Sequence, residues 1–295
     1  MFQEELCKHP GVQHVDDTPH TYFETHHWLK AAVMLDMPSS MFSGNRVYSG
    51  YGSKANAKAY LVDCVRQNVP DFQVPADDRD LVFKGWDAMC HRFARPVFFE
   101  KSPQVLAQWA ALSLLLEWMQ STQFNVRVIG LTRNPLAVLY SAEQLFGTDP
   151  WERQYGWLEI QKNLLSLQAL VPTEAFLNIR YEDVIATPAA TFEHVCRFVG
   201  LEYHNDVGKA VHGRSLEKWK GDPQFTLHLD ESVCQVARHF GYTDTDLKNP
   251  AKPGRSPAQK RSRGRSNALG RALTRLRNRL VRPWRLRLQN RRLRK

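Results

Sequence analysis

Residues 124–141, FNVRVIGLTRNPLAVLYS, constrain the fold more than any other stretch of the chain. Val126, Val128, Ile129 and Leu131 form a short apolar run rich in β-branched residues, the pattern of a parallel strand covered on both faces. The period then changes. Pro135 lacks the N–H that a helix start leaves unpaired, and Leu136, Val138 and Leu139 continue at helical spacing. Arg133 is therefore expected at the carboxyl end of a strand, beside a helix N-terminus whose N–H groups and dipole favour an anion. Ser141 follows two turns later, and helical side chains lean back toward the N-terminus, so its hydroxyl can reach an anion held by Arg133. A phosphate is the natural candidate. The alternative is an arginine paired with a surface carboxylate and a serine facing solvent, since many strand-turn-helix junctions bind nothing.

The flanking segments extend this pattern in both directions. Residues 1–8 read as the second half of an amphipathic helix, with Phe2 and Leu6 on one face and a stop at His9-Pro10-Gly11. A short strand is expected to end near Val15, with Asp16, Asp17 and His20 following at the edge where open α/β sheets place their chemistry. A helix is expected near 54–67, Lys54 to Asn68 at most. Residues 96–100 form another apolar strand ending at Lys101-Ser102-Pro103, and a helix through Leu106, Trp109, Leu112, Leu115 and Trp118 crosses over to the 126–131 strand. Trp157, Ile160, Leu164 and Leu167 mark a core helix over 157–170. A strand follows over 176–181, then a helix capped by Thr187, with Pro188 in its first turn and Gly200 at its end. Gly50-Tyr51-Gly52-Ser53-Lys54 has the composition of a phosphate loop but neither the spacing nor a strand feeding it, and reads as a surface loop.

The chain of 295 residues is long enough for one large α/β domain with a full core. Its net charge of +10 is concentrated at one end. Seventeen of the 40 Lys and Arg residues, and no acid, lie from Ala251 onward, so residues 1–250 carry 23 basic against 30 acidic side chains. The 1–248 body is mildly acidic, and 249–295 is a basic linker and tail, disordered or helical. Within the tail Leu269, Leu273, Leu276 and Leu280 fall on one helical face opposite Arg271, Arg275, Arg279 and Arg282, which suits an anionic membrane surface, an acidic polymer or a partner groove. A tail solvated and only transiently helical is the other reading. Five scattered cysteines with no CxxC pair point to reduced thiols and a cytoplasmic protein, with peripheral membrane attachment through the tail. No signal peptide and no spanning segment are visible.

RNPLAVLYS, with Arg133 eight residues before Ser141, resembles the 3′-phosphate-binding signature of sulfotransferases that use 3′-phosphoadenosine 5′-phosphosulfate (PAPS). FFEKSP at 98–103 and LNIRYEDVIATPAATFEHVCRFVGL at 177–201 resemble the same family in the same order, and the resemblance runs from about His9 to Tyr242. It implies a P-loop-NTPase-like, three-layer α/β/α fold around a central parallel sheet. In that family a first strand and a glycine-containing 5′-phosphosulfate loop precede the helix that residues 1–8 resemble. Neither is present in this sequence, either because a longer product begins upstream or because the donor loop has been lost.

The resemblance also implies roles. Arg133 and Ser141 would hold the 3′-phosphate and Tyr181 the adenine, with Arg214, in the segment preceding Trp219, a second phosphate contact, although His212-Gly213-Arg214-Ser215 departs from the Arg-Lys-Gly form of cytosolic members. Sulfuryl transfer needs charge stabilisation at a loose in-line transition state and a base for the attacking hydroxyl. Lys101 would serve the first, Asp17 or His20 the second, with Glu100 orienting Lys101 and no metal required. The expected activity is transfer from PAPS to a hydroxyl acceptor, a glycan or another alcohol. Competing readings are a non-catalytic protein of the same fold that binds nucleotide or sulfated glycan, a P-loop kinase lacking its marker motif, and a nucleic-acid binder acting through the tail.

Overall fold

A computed structural model of the chain describes residues 1–20, 24–37, 53–213 and 216–250. The element order begins with a short helix α1 (Phe2–Leu6), strand β1 (Val12–Gln13) and helices α2 (His27–Met34), α3 (Lys54–Asn68) and α4 (Asp78–Phe93). Strand β2 (Val97–Phe98), a 3₁₀ turn over Pro103–Ala107, helix α5 (Trp109–Ser121) and strand β3 (Val128–Thr132) come next. Helices α6 (Pro135–Phe146) and α7 (Pro150–Leu170), strand β4 (Phe176–Arg180) and helices α8 (Tyr181–Ala186), α9 (Pro188–Phe198), α10 (Glu231–His239) and α11 (Asp244–Leu247) complete it.

The strands form two parallel pairs rather than one continuous sheet. Val12 lies opposite Val97 in the first pair, and Val128 to Thr132 run in register with Phe176 to Arg180 in the second. Gly130 of β3 lets Phe176 and Leu164 pack close to the strand, since a Cβ there would stand 3.1 and 3.2 Å from them and would press them back. The larger hydrophobic cluster gathers α2 to α5, α7 and α10 around Trp28, Trp86 and Trp118, whose ring centroids are 5.4 to 6.2 Å apart. Trp118 also donates to Asp87 at 2.7 Å, so the indole N–H is satisfied as its ring is buried. His27, wholly buried, faces the Val82 carbonyl at 2.9 Å, and burial pushes its pKa down to about 4, which makes it a neutral core histidine. A smaller cluster joins α1, α8 and α9 to the second strand pair through Leu6, Ile179, Val184 and Phe192.

Most elements lie where the sequence placed them, with shorter strands. Helix α3 covers Lys54–Asn68, and Ser53 caps it by accepting from the Asn56 N–H, so Ser53 and Lys54 belong to a helix start while Gly50 to Gly52 lie outside the described residues. Thr187 differs from expectation. It separates α8 from α9, and its hydroxyl donates back to the Asp183 carbonyl at 3.3 Å instead of capping α9. The basic tail lies outside the described residues. Burial pushes the thiols of Cys7, Cys64 and Cys90 up to about 12, and no described helix is long and apolar enough to cross a membrane.

Candidate active site at the strand ends

The Arg133 junction is built by its neighbours. Asn134 is the N-cap of α6: its side-chain oxygen accepts from the N–H groups of Leu136 at 2.9 Å and Ala137 at 3.4 Å, and Pro135 supplies the first helical residue. The Asn134 side-chain amide donates to the Asp246 carbonyl at 2.7 Å, and its backbone N–H donates to Glu182 at 3.0 Å. The other oxygen of Glu182 accepts from the Tyr242 hydroxyl at 2.7 Å. The turn is thus held from α8 and from the C-terminal end of the body. Tyr181 opens α8 directly after β4, and because Thr132 and Arg180 are in register, the residues that follow them meet. The Arg133 guanidinium lies over the Tyr181 ring, 4.6 Å from its centroid. Ser141 sits half-buried two turns along α6.

A second group of side chains gathers at the end of the first pair. Lys101, just past β2, pairs with Glu24 at 2.6 Å, and the other Glu24 oxygen faces His26 at 3.0 Å and His20 at 3.7 Å. The two imidazole rings are 4.2 Å apart. Burial raises the Glu24 pKa, but the His26 hydrogen bond, the charge and hydrogen bond of Lys101 and the charge of His20 outweigh it and hold the carboxyl below its ordinary value. The His20, Glu24 and His26 ligand atoms lie within 4.8 Å of one another, a spacing a divalent metal accepts, yet the Lys101 ammonium already occupies one oxygen of the shared carboxylate.

Glu100 does not orient Lys101. Its half-buried carboxyl accepts from the N–H and hydroxyl of Thr25 at 3.1 and 2.8 Å and from the Ser102 hydroxyl at 2.5 Å. It braces the loop that carries Glu24, the true partner of Lys101. Burial, aided by the Glu24 charge, pushes its pKa up despite these hydrogen bonds. Of the two base candidates, His20 stands in the Lys101 group. Asp17 is engaged in a local turn, its carboxylate accepting from the Thr18 N–H at 2.9 Å while Asn68 grips its backbone. Arg214 lies outside the described residues. Trp219 is buried against Leu136 and Phe225, beneath α6. Glu24 and Asn134 were absent from the sequence reading. Asn134 carried a readable signal, a cap residue directly before a proline, whereas Glu24 carried none.

Helix α1 links the two groups. Its Met1 sulfur is 3.9 Å from the Tyr181 hydroxyl and its Phe2 ring 6.5 Å from Phe99 at the end of β2, so both strand pairs present their carboxyl ends on this side.

Comparison with solved structures finds the sulfotransferase domain of the olefin synthase of Synechococcus PCC 7002, 16% identical with a TM-score of 0.56, over 82% of this chain and 90% of that one. The sulfotransferase domain of the curacin biosynthetic pathway is similar at 15% identity and a TM-score of 0.52, over 82% and 94% of the two chains. No curated protein sequence matches. The model of the Sulfotransferase family matches residues 6–205, more than half of the chain, including every strand among the described residues together with Lys101, Arg133, Ser141 and Tyr181; the chain belongs to the sulfotransferase family.

Proposed function

We propose that the chain is a PAPS-dependent sulfotransferase acting on a hydroxyl acceptor, a glycan or another alcohol. The observation that carries this reading is the Arg133 guanidinium stacked on Tyr181 beside the capped start of α6, a donor set suited to a phosphate next to a purine. PAPS supplies the activated sulfuryl group, and no metal is needed. Arg133 and Ser141 hold the 3′-phosphate, Tyr181 the adenine, and Arg214 a second phosphate contact. Lys101 neutralises the oxygens around the reacting sulfur. His20, which stands beside Glu24 in the Lys101 group, takes the acceptor's proton and is the preferred base over Asp17. The tail from 251 binds an anionic membrane surface or acidic polymer, giving a cytoplasmic, peripheral protein.

A second reading, a non-catalytic protein that binds nucleotide or sulfated glycan, is favoured by the separation of the two strand pairs. Calorimetry with 3′-phosphoadenosine 5′-phosphate tests the site shared by both readings. Binding is expected in the micromolar range and more than tenfold weaker in Arg133→Ala, since a charge-assisted contact worth about 1.5–3 kcal/mol disappears. Equal affinity in both proteins removes the basis for the site, and binding without transfer to any alcohol selects the second reading.

A further inference from the structure

Three side chains of ligand type, His20, Glu24 and His26, meet beside Lys101, and the carboxylate at their centre divides its two oxygens between two kinds of partner. Oε1 of Glu24 takes the Lys101 ammonium at 2.6 Å. Oε2, on the other side, faces His26 Nε2 at 3.0 Å and His20 Nδ1 at 3.7 Å. The ion pair with Lys101 therefore uses the oxygen turned away from the imidazoles. The His20 distance is longer than a hydrogen bond, and the two distances bracket the ~3.4 Å edge of a tetrahedron whose metal–ligand bonds are about 2.0–2.2 Å. Among the described residues this is the one group of His, Cys, Asp or Glu with three ligand atoms within 4.8 Å of one another.

The backbone around these side chains is braced. Glu24 and His26 are buried and flank Thr25, whose N–H and hydroxyl both donate to Glu100. The His26 N–H donates to the Ser102 hydroxyl at 3.1 Å, which fixes this residue in the left-handed conformation, φ 50, that it takes as N-cap of α2. Two of the three ligands are thus held before any ion arrives, as outer-shell hydrogen bonds hold them in metal sites generally. His20, with 29% of its side chain exposed, marks the side on which the group opens to solvent. Two imidazole nitrogens and one carboxylate oxygen suit a borderline-soft ion of the zinc class better than calcium or magnesium, which prefer oxygen. We propose that His20, Glu24 and His26 bind a divalent transition-metal ion of the zinc class through three protein ligands, with a fourth position open to water. Lys101 keeps Oε1, so the Glu24 carboxylate bridges the ammonium and the ion and offsets part of the charge of each. The site rests on donor geometry and requires neither nucleotide nor sulfuryl transfer, so it stands or falls separately from the function proposed above.

The test titrates the full chain, free of any purification tag and stripped with a chelator, with Co²⁺ followed by visible absorption and with Zn²⁺ followed by calorimetry. A single equivalent of Co²⁺ is expected to give the intense bands of a four-coordinate ion, and Zn²⁺ to displace it with micromolar or tighter affinity. His20→Ala and His26→Asn should each weaken Zn²⁺ binding by more than about tenfold, the loss that disturbing a metal site commonly brings. Asparagine tolerates the left-handed backbone at position 26, and circular dichroism checks that both variants fold. If His26→Asn does not fold, His20→Ala, at the more exposed ligand, decides the matter alone. His91→Ala, an exposed histidine outside the group, should leave the affinity unchanged. A Co²⁺ spectrum without four-coordinate bands overturns the proposal. Equal Zn²⁺ affinity in wild type and His20→Ala overturns it as well, by placing the ion elsewhere on the chain.

Discussion

At the scale of single residues, Glu24 and Glu100, 76 positions apart in sequence, are brought together through Thr25, yet their environments shift them in opposite directions. Glu24 is pulled down by His26, Lys101 and His20 in spite of its burial, so the folded protein gains stability from its ionised form. That gain is present above the ordinary glutamate value of about 4.3 and is lost as pH falls through the lower folded value. Glu100 is pushed up by burial, so the folded state holds its proton more tightly than the unfolded one, and stability falls as pH rises from about 4.3 through the higher folded value. Urea midpoints measured against pH separate the two. Glu24→Gln should lose the acid-side dependence and lower the midpoint at neutral pH, because Lys101 loses the Glu24 carboxylate at 2.6 Å. Glu100→Gln retains an acceptor for Thr25 and should flatten the neutral side, with a midpoint at pH 7 equal to or above that of the wild type. A midpoint at pH 7 well below wild type in Glu100→Gln would show that the charged form is the stabilising one. Glu24 escaped the sequence reading because its role arises from the approach of two loops distant in sequence, and no periodicity marks a buried carboxylate that owes its state to a lysine 77 positions later.

At the scale of elements, the strand-turn-helix unit around Arg133 was legible because its signals are local: an apolar β-branched run, a proline and a change of period. The supports of that unit were not legible. Glu182 and Asp246 reach Asn134 from 48 and 112 residues away, and α8 is a single turn and a half whose first residue looks like the last of a strand. These supports make Asn134 the keystone of the turn, since its side chain caps α6 and also ties it to α11. Asn134→Ala removes the cap and the contact to the Asp246 carbonyl and should cost about 1–2 kcal/mol of stability in urea unfolding. It should also weaken 3′-phosphoadenosine 5′-phosphate binding without touching the nucleotide, because Arg133 leaves the helix from the adjacent position. Asn134→Asp keeps the cap and should restore most of the stability. If Asn134→Ala unfolds at the wild-type urea concentration, the turn is held by packing alone.

At the scale of the whole molecule, the strand positions were readable but their pairing into two separate parallel pairs was not, because sheet order depends on which edges meet across long separations. Charge, in contrast, is visible at this scale from the sequence alone. A body with seven more acids than bases is attached to a segment with 17 bases and no acid, so any attraction to an anionic surface must come through residues 251–295. Each Lys or Arg near such a surface contributes about 1 kcal/mol, screened within a Debye length. Full-length protein should therefore cosediment with phosphatidylserine-rich vesicles at low salt, release as salt is raised, and ignore vesicles of phosphatidylcholine alone. Removing residues 251–295 should abolish cosedimentation and leave nucleotide affinity unchanged, since Arg133, Ser141 and Tyr181 all belong to the body. Equal vesicle binding by the truncated protein would assign the membrane contact to the acidic body and leave the basic tail without that role.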